Sequence, residues 1–206
     1  MLLRTLGAGL VFAAVACASG GAVQQTTTPA PQQTQRPGVY PHSDADIEFM
    51  SGMIPHHAQA VLIGNWVAAR SERRDIRVLA ERIVVSQRDE IAMMQTWLSD
   101  RGLPMPPADA THHRMKMNGV EHDMLMPGML SAAELAQLEK ARGAEFDRLF
   151  LTFMIRHHEG ALKMVDDLFA SYGAAQEETV FRFASDVYAD QTTEIEFMTR
   201  MLVEGK

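Results

Sequence analysis

A fifteen-residue segment occurs twice in this chain. The first copy runs Asp46-Ile47-Glu48-Phe49-Met50-Ser51-Gly52-Met53-Ile54-Pro55-His56-His57-Ala58-Gln59-Ala60, and the second spans residues 147–161 and ends Met154-Ile155-Arg156-His157-His158-Glu159-Gly160-Ala161. The offset is 101, and seven of the fifteen positions match. A second match follows each copy. Gln87, Glu90, Ile91 and Met94 correspond to Gln191, Glu194, Ile195 and Met198 at an offset of 104. An internal repeat of this kind marks a duplicated supersecondary unit. The apolar positions Ile76, Leu79, Ala80, Ile83, Val84, Ile91, Met94 and Leu98 recur at helical spacing, so the unit is a pair of helices. Two pairs predict an all-α four-helix bundle.

Boundaries follow from local chemistry. Ser43 with Asp46 reads as a capping box opening a helix to about Ala69, with Pro55 inside it as a kink or a missing hydrogen bond. A second helix is expected from Glu72 to Ser99, stopped by Gly102 and Pro104. Ser131 with Glu134 is a second capping box, and one long helix is expected from there to Ser171. The last helix is expected from Ala175 to Val203. No stretch alternates long enough to suggest a strand.

Residues 1–16 read as an export signal, with Arg4 before an apolar run too short to span a bilayer. The single cysteine, Cys17, follows Ala14-Val15-Ala16, as at a lipoprotein processing site; ordinary signal cleavage nearby is the alternative. Residues 17–41, rich in Gln, Thr and Pro, form an expected lipid-anchored disordered linker, leaving 42–206 as the folded domain. The chain is thus expected to be exported to a bacterial cell envelope, held on a membrane by lipid and facing the periplasm or exterior.

Composition narrows function. Lys and Arg total 19 against 26 Asp and Glu, for a net charge of -7. That argues against nucleic acid or an anionic membrane surface as partner and suits cations. One cysteine leaves no intrachain disulfide, Cys-rich zinc site or iron–sulfur cluster. The expected helices lack the Glu-x-x-His motif of di-iron bundles, and zinc-protease, phosphate-loop and nucleophile-elbow motifs are absent.

Two sets of residues carry metal chemistry. On a helical wheel Asp46, Met50, Met53 and His57 share one stripe, as do Asp147, Leu151, Met154 and His158, with His56 and His157 on a flank. Imidazole with thioether favours copper, and thioether favours Cu(I). Gln87, Glu90, Gln191 and Glu194 can orient the rings from behind. The plainer alternative is a packed core with hydrogen-bonded histidines. The second set lies in the connector 103–130: Met105, His112, His113, Met115, Met117, His122, Met124, Met126 and Met129. It reads as a flexible scavenger of soft ions, or as methionines that cover one end of the bundle or absorb oxidation.

The paired Met-x-x-His-His segments, with Gly143-Ala144-Glu145-Phe146-Asp147 before the second copy and Gln87-Arg88-Asp89-Glu90-Ile91 after the first, resemble the domain of unknown function 305 family over residues 44–202. The resemblance implies a ferritin-like four-helix bundle, export, and in some members copper binding and resistance. It implies Met53, His56, His57, Met154, His157 and His158 as characteristic residues. Together these readings favour an envelope protein that buffers, sequesters or transfers Cu(I) or Cu(II) without turnover, with other transition metals as alternatives and an envelope metal-handling protein as partner. A non-enzymatic interaction module and a metal-dependent oxidase are the competing classes.

Overall fold

Ser43 starts the first helix through a reciprocal pair: its Oγ accepts from Asp46 N at 3.1 Å, and Asp46 Oδ2 accepts from Ser43 N at 2.7 Å. A computed structural model describes residues 41–117 and 120–204. Its helices are α1 (Asp44–Arg70), α2 (Arg74–Ser99), α3 (Ala132–Lys140), α4 (Gly143–Ala170) and α5 (Glu178–Glu204). A two-stranded antiparallel sheet, β1 (His113–Met117) with β2 (Val120–Met124), lies between α2 and α3. The helix α1 packs along α2, α4 packs along α5, and α1 crosses α4. This is the expected duplicated two-helix bundle. The export signal, Cys17 and the linker to residue 40 lie outside the described residues.

All eight apolar positions of the α2 stripe are buried. The core is divided along the helix axes. One cluster gathers Phe49, Met50, Met53 and Ile54 of α1 with Met94, Trp97, Val165, Val180 and Val187. The other gathers Ile63 and Val67 of α1 with Ile76, Ile83, Phe146, Phe150, Met154 and Met198. On each long helix polar residues lie where the two clusters meet: His56, His57 and Gln59, then Gln87 and Glu90, then His157 and His158, then Gln191 and Glu194.

Three sequence expectations need correction. The long third helix is two helices. The capping box at Ser131 does form, but it opens only the short α3. The chain then extends through Ala141 and Arg142, and Gly143 begins α4 with φ of +56°, a conformation open to glycine at little cost. The connector, read as a flexible loop, contains a hairpin, so strands are present. The last helix begins at Glu178: Ala175 has a φ of 54°, outside the right-handed helical range, and its N–H goes to Asp46 Oδ1 at 2.7 Å. The first helix runs through Pro55 without ending. Among the described residues no helix is long and apolar enough to cross a membrane.

Candidate metal centre

Each helical pair carries one buried histidine against one carboxylate. His57 Nε2 of α1 lies 2.5 Å from Glu90 Oε2 of α2. His158 Nε2 of α4 lies 2.8 Å from Glu194 Oε2 of α5. Both rings are fully buried, whereas the two carboxylates keep side-chain exposures of 22% and 15%. The neighbouring histidines repeat the symmetry: the His56–His57 ring centroids are 6.2 Å apart and the His157–His158 centroids 6.3 Å. On the pseudo-two-fold axis the rings of His56 and His157 face each other with centroids 3.8 Å apart. The repeat read from sequence thus becomes a four-histidine layer at mid-bundle.

Partners fix where the protons sit. A carboxylate and a carbonyl only accept, so Nε2 must be the N–H of any neutral ring that meets one. Burial opposes the charge on Glu90, but the hydrogen bond to His57, helped by Ser86 Oγ at 3.0 Å, holds its pKa below the ordinary value. His56 Nε2 donates to Pro127 O at 3.0 Å. Burial, reinforced by the nearby His57, lowers the His56 pKa from 6.5 to about 3, and burial with His56 drives that of His157 well below 6.5. His56 and His157 are therefore neutral at physiological pH. Five ring nitrogens in the layer have no hydrogen-bond partner: His56 Nδ1, His57 Nδ1, His158 Nδ1 and both nitrogens of His157. Buried polar atoms without partners are uncommon and call for a chemical reason. A histidine held by a carboxylate through one nitrogen presents the other as a lone pair, the arrangement that orients metal ligands.

Met53 and Met154 lie one turn before His57 and His158 and are wholly buried. Gln87 and Gln191 are also buried, each with Oε1 unpartnered. Asp46 and Asp147 do not join this layer. They sit about 16 Å along the axis from His57 and His158 at 1.5 Å per residue. Both oxygens of Asp46 are occupied by Ser43 N and Ala175 N. Asp147 is buried with Oδ1 unpartnered, in a pocket shared with Arg73.

The connector crosses over the layer as a strap. Gln59 grips Leu130 from both sides, Nε2 donating to its carbonyl at 3.0 Å and Oε1 accepting from its N–H at 2.6 Å. A Cβ on Gly160 would lie 2.0 Å from Pro127 O, so only glycine lets the strap touch α4. Arg156 reaches Glu134 at 2.5 Å and holds that carboxyl down at about 2. Met126 is half-buried by Gly52 and Met164, and Met129 is buried with its sulfur accepting from Met126 N at 3.2 Å. These two methionines therefore belong to the strap. His112 is exposed beside Thr111, and Met105 is half exposed. His113, Met115, Met117, His122 and Met124 fall on the hairpin.

Sequence reasoning missed Gln59, Pro127 and Asp190. Gln59 lies inside the first repeat but has glycine as its counterpart, so the repeat hides it. Asp190 stands where the first half has Ser86. Partial burial and the charges of Glu90, Glu194 and Asp186 raise its pKa, so carboxylates of α2 and α5 gather here. Among the described residues no three His, Cys, Asp or Glu side chains are arranged to hold an ion. The donor set of imidazoles with thioethers nonetheless suits a soft or borderline ion better than a hard one.

Similarity to known proteins agrees with this architecture. A 58-residue stretch is 38% identical to uncharacterized protein L153 of Acanthamoeba polyphaga mimivirus, covering 28% of this chain and 38% of that protein, little more than a third of its length. A DUF305 protein of Streptomyces coelicolor, assigned as secreted, superposes with a TM-score of 0.65 at 30% identity, covering 78% of this chain and 93% of that one. CopM in its Cu(II)-bound form superposes with a TM-score of 0.62 at 25% identity, covering 78% and 97%. The model of the domain of unknown function DUF305 matches residues 46–202, and the chain belongs to that family.

Proposed function

We propose that this protein binds copper in the cell envelope and buffers or hands on the ion without chemical turnover. The observation that carries the reading is the set of buried imidazole lone pairs at mid-bundle. His57 and His158 are oriented by Glu90 and Glu194, and each has a methionine one turn away. Imidazole with thioether is a copper donor set, and a protein of this fold, CopM, is described with Cu(II) bound. Met53, His57, Met154 and His158 would supply the ligands, with His56 and His157 beside them. Copper would act here as cargo. The glutamates keep each Nε2 protonated and so keep Nδ1 free.

Export rests on residues 1–16 and on the secreted Streptomyces relative. Lipid on Cys17 would tether the domain to the membrane through the linker to residue 41.

The test is an anaerobic Cu(I) competition titration of the chain and of a His57→Gln, His158→Gln double variant. Saturable binding that weakens at least about 100-fold in the variant, with unchanged helicity by circular dichroism, is the expected result. Equal affinity in both proteins would refute the bundle site. Weak, non-saturating binding by the parent would favour an interaction module, and copper-dependent oxygen consumption would favour an oxidase.

A further inference from the structure

The two halves of the bundle treat the same aspartate differently. Asp46 and Asp147 stand at corresponding positions of the repeat, and both are buried. Asp46 has both oxygens engaged: Oδ2 accepts from Ser43 N and Oδ1 from Ala175 N, each at 2.7 Å. The counterpart of Ser43 is Ala144, which lies inside α4, and that helix opens with no side-chain cap. Asp147 is 7% exposed, and its Oδ1 has no hydrogen-bond partner.

Loop length separates the two. Three residues, 71–73, join α1 to α2, whereas seven, 171–177, join α4 to α5. The longer connection turns inward. Ala174 and Ala175 are buried in the apolar cluster that holds Trp97, and the Trp97 indole donates to Glu177 Oε2 at 2.9 Å. This turn plugs the space beside Asp46 and delivers the Ala175 N–H to it. The shorter connection supplies no such turn to Asp147, and Met201 stands where the first half has Trp97. A pocket of about 650 Å³ remains there, with Ala144, Asp147, Leu151, Met201, Leu202 and Arg73 in its lining. Arg73 does not take the free oxygen, because its guanidinium is engaged by Asp75, Nε at 3.1 Å and Nη2 at 2.5 Å.

We propose that this pocket binds a peptide turn from a partner protein, which donates a main-chain N–H to Asp147 Oδ1 and sets small apolar side chains against Leu151 and Met201. The Ala174–Ala175 turn of the first half is the intramolecular form of that ligand. A carboxylate oxygen only accepts, so the ligand must donate. A buried acceptor without a donor is costly, and a main-chain N–H is the group that relieves the same cost at Asp46. Arg73 and Arg148 balance Asp147 and Glu145 in the lining, so the pocket has no net charge to hold an ion and suits a neutral donor. The φ of 54° at Ala175 shows that the donated N–H comes from a turn and not from an extended strand. The pocket lies about 16 Å along the bundle axis from His158, so the proposal goes beyond copper binding and stands apart from it.

The test is a ¹⁵N NMR titration of the metal-free full chain with a peptide of the plug's own sequence, residues 171–177, blocked at both ends. The amides of Asp147, Leu151 and Met201 are expected to shift and saturate. Methylating the peptide nitrogen that corresponds to Ala175 removes the donor and should weaken binding at least about 10-fold. Asp147→Ala should abolish saturation. Thermal melts of the free chain supply a second reading. Asp46→Ala should lower the melting temperature by at least about 2–4 °C, and Asp147→Ala should not lower it. Failure to saturate, equal binding of the methylated peptide, or shifts at Asp46 and Trp97 instead would overturn the proposal. So would a melting temperature lowered as far by Asp147→Ala as by Asp46→Ala, since Oδ1 of Asp147 would then have a partner within the chain. None of these results bears on copper at the histidine layer.

Discussion

Glu90 decides what His57 can do. Accepting from Nε2 leaves Nδ1 as the lone pair, and Glu194 does the same for His158. Replacing Glu90 with Ala should therefore weaken copper binding about 10- to 100-fold without touching a ligand, as measured by competition titration. A second prediction concerns pH. The folded pKa of His56 is about 3 against 6.5 when unfolded, and that of His157 is lowered too. Between those values the unfolded chain binds protons that the native chain refuses, so stability falls as pH drops below about 6.5, by up to about 1.4 kcal/mol per unit for each ring. Thermal melts of the metal-free chain from pH 7 to 4 should show this, and a His56→Gln, His157→Gln variant should show a shallower decline. A flat profile in the parent would contradict the assignment of neutral buried rings. The stripe of Met53 and His57 was legible in the sequence because helical periodicity and the repeat both mark it. The tautomer of His56 was not, because its acceptor is a backbone carbonyl 71 residues away.

At the scale of elements, the strap is the least legible part and the easiest to perturb. Its anchors are one glutamine side chain, one histidine and a backbone contact that needs glycine. Changing Gly160 to Ala should cost about 1–3 kcal/mol, since the new methyl meets the Pro127 carbonyl directly. Changing Gly52 to Ala should cost less, because the methyl meets only the flexible end of Met126. Urea denaturation of both variants orders the two effects. Gln59→Leu should leave Leu130 without its side-chain partners and raise hydrogen exchange at the Leu130 amide, while α1 amides stay protected. The helical pairs were readable because each has a continuous apolar stripe, and the first opens on a capping box. The split of the third helix was harder to see, since helix-forming sequence lies on both sides of Gly143. The hairpin did leave a signal: charged residues alternate with Met or His in His113–Met117 and Glu121–Met124, with Asn118-Gly119 between the strands in sequence. Alternation of Met and His with charge does not look like the usual apolar alternation of a strand.

Over the whole molecule, duplication explains why one polar layer divides the core. Each half contributes a histidine pair and a glutamate at the same height, so the symmetric packing of two helical pairs brings all four rings together. The halves are not identical: Pro55 faces Arg156 in the repeat, and Ser86 faces Asp190. Copper bound only by the native state should raise the melting temperature with free ion concentration, and the rise should vanish in the His57→Gln, His158→Gln variant if the layer is the dominant site. The most direct measurement is long-range ¹H–¹⁵N correlation of the histidine side chains, before and after anaerobic addition of Cu(I). The metal-free spectrum should show His57 and His158 protonated at Nε2 with Nδ1 bare, and Cu(I) should shift both Nδ1 resonances at saturation. Protonated Nδ1 atoms in the metal-free protein, or Nδ1 resonances that stay in place when the chain is saturated, would contradict the copper-binding layer.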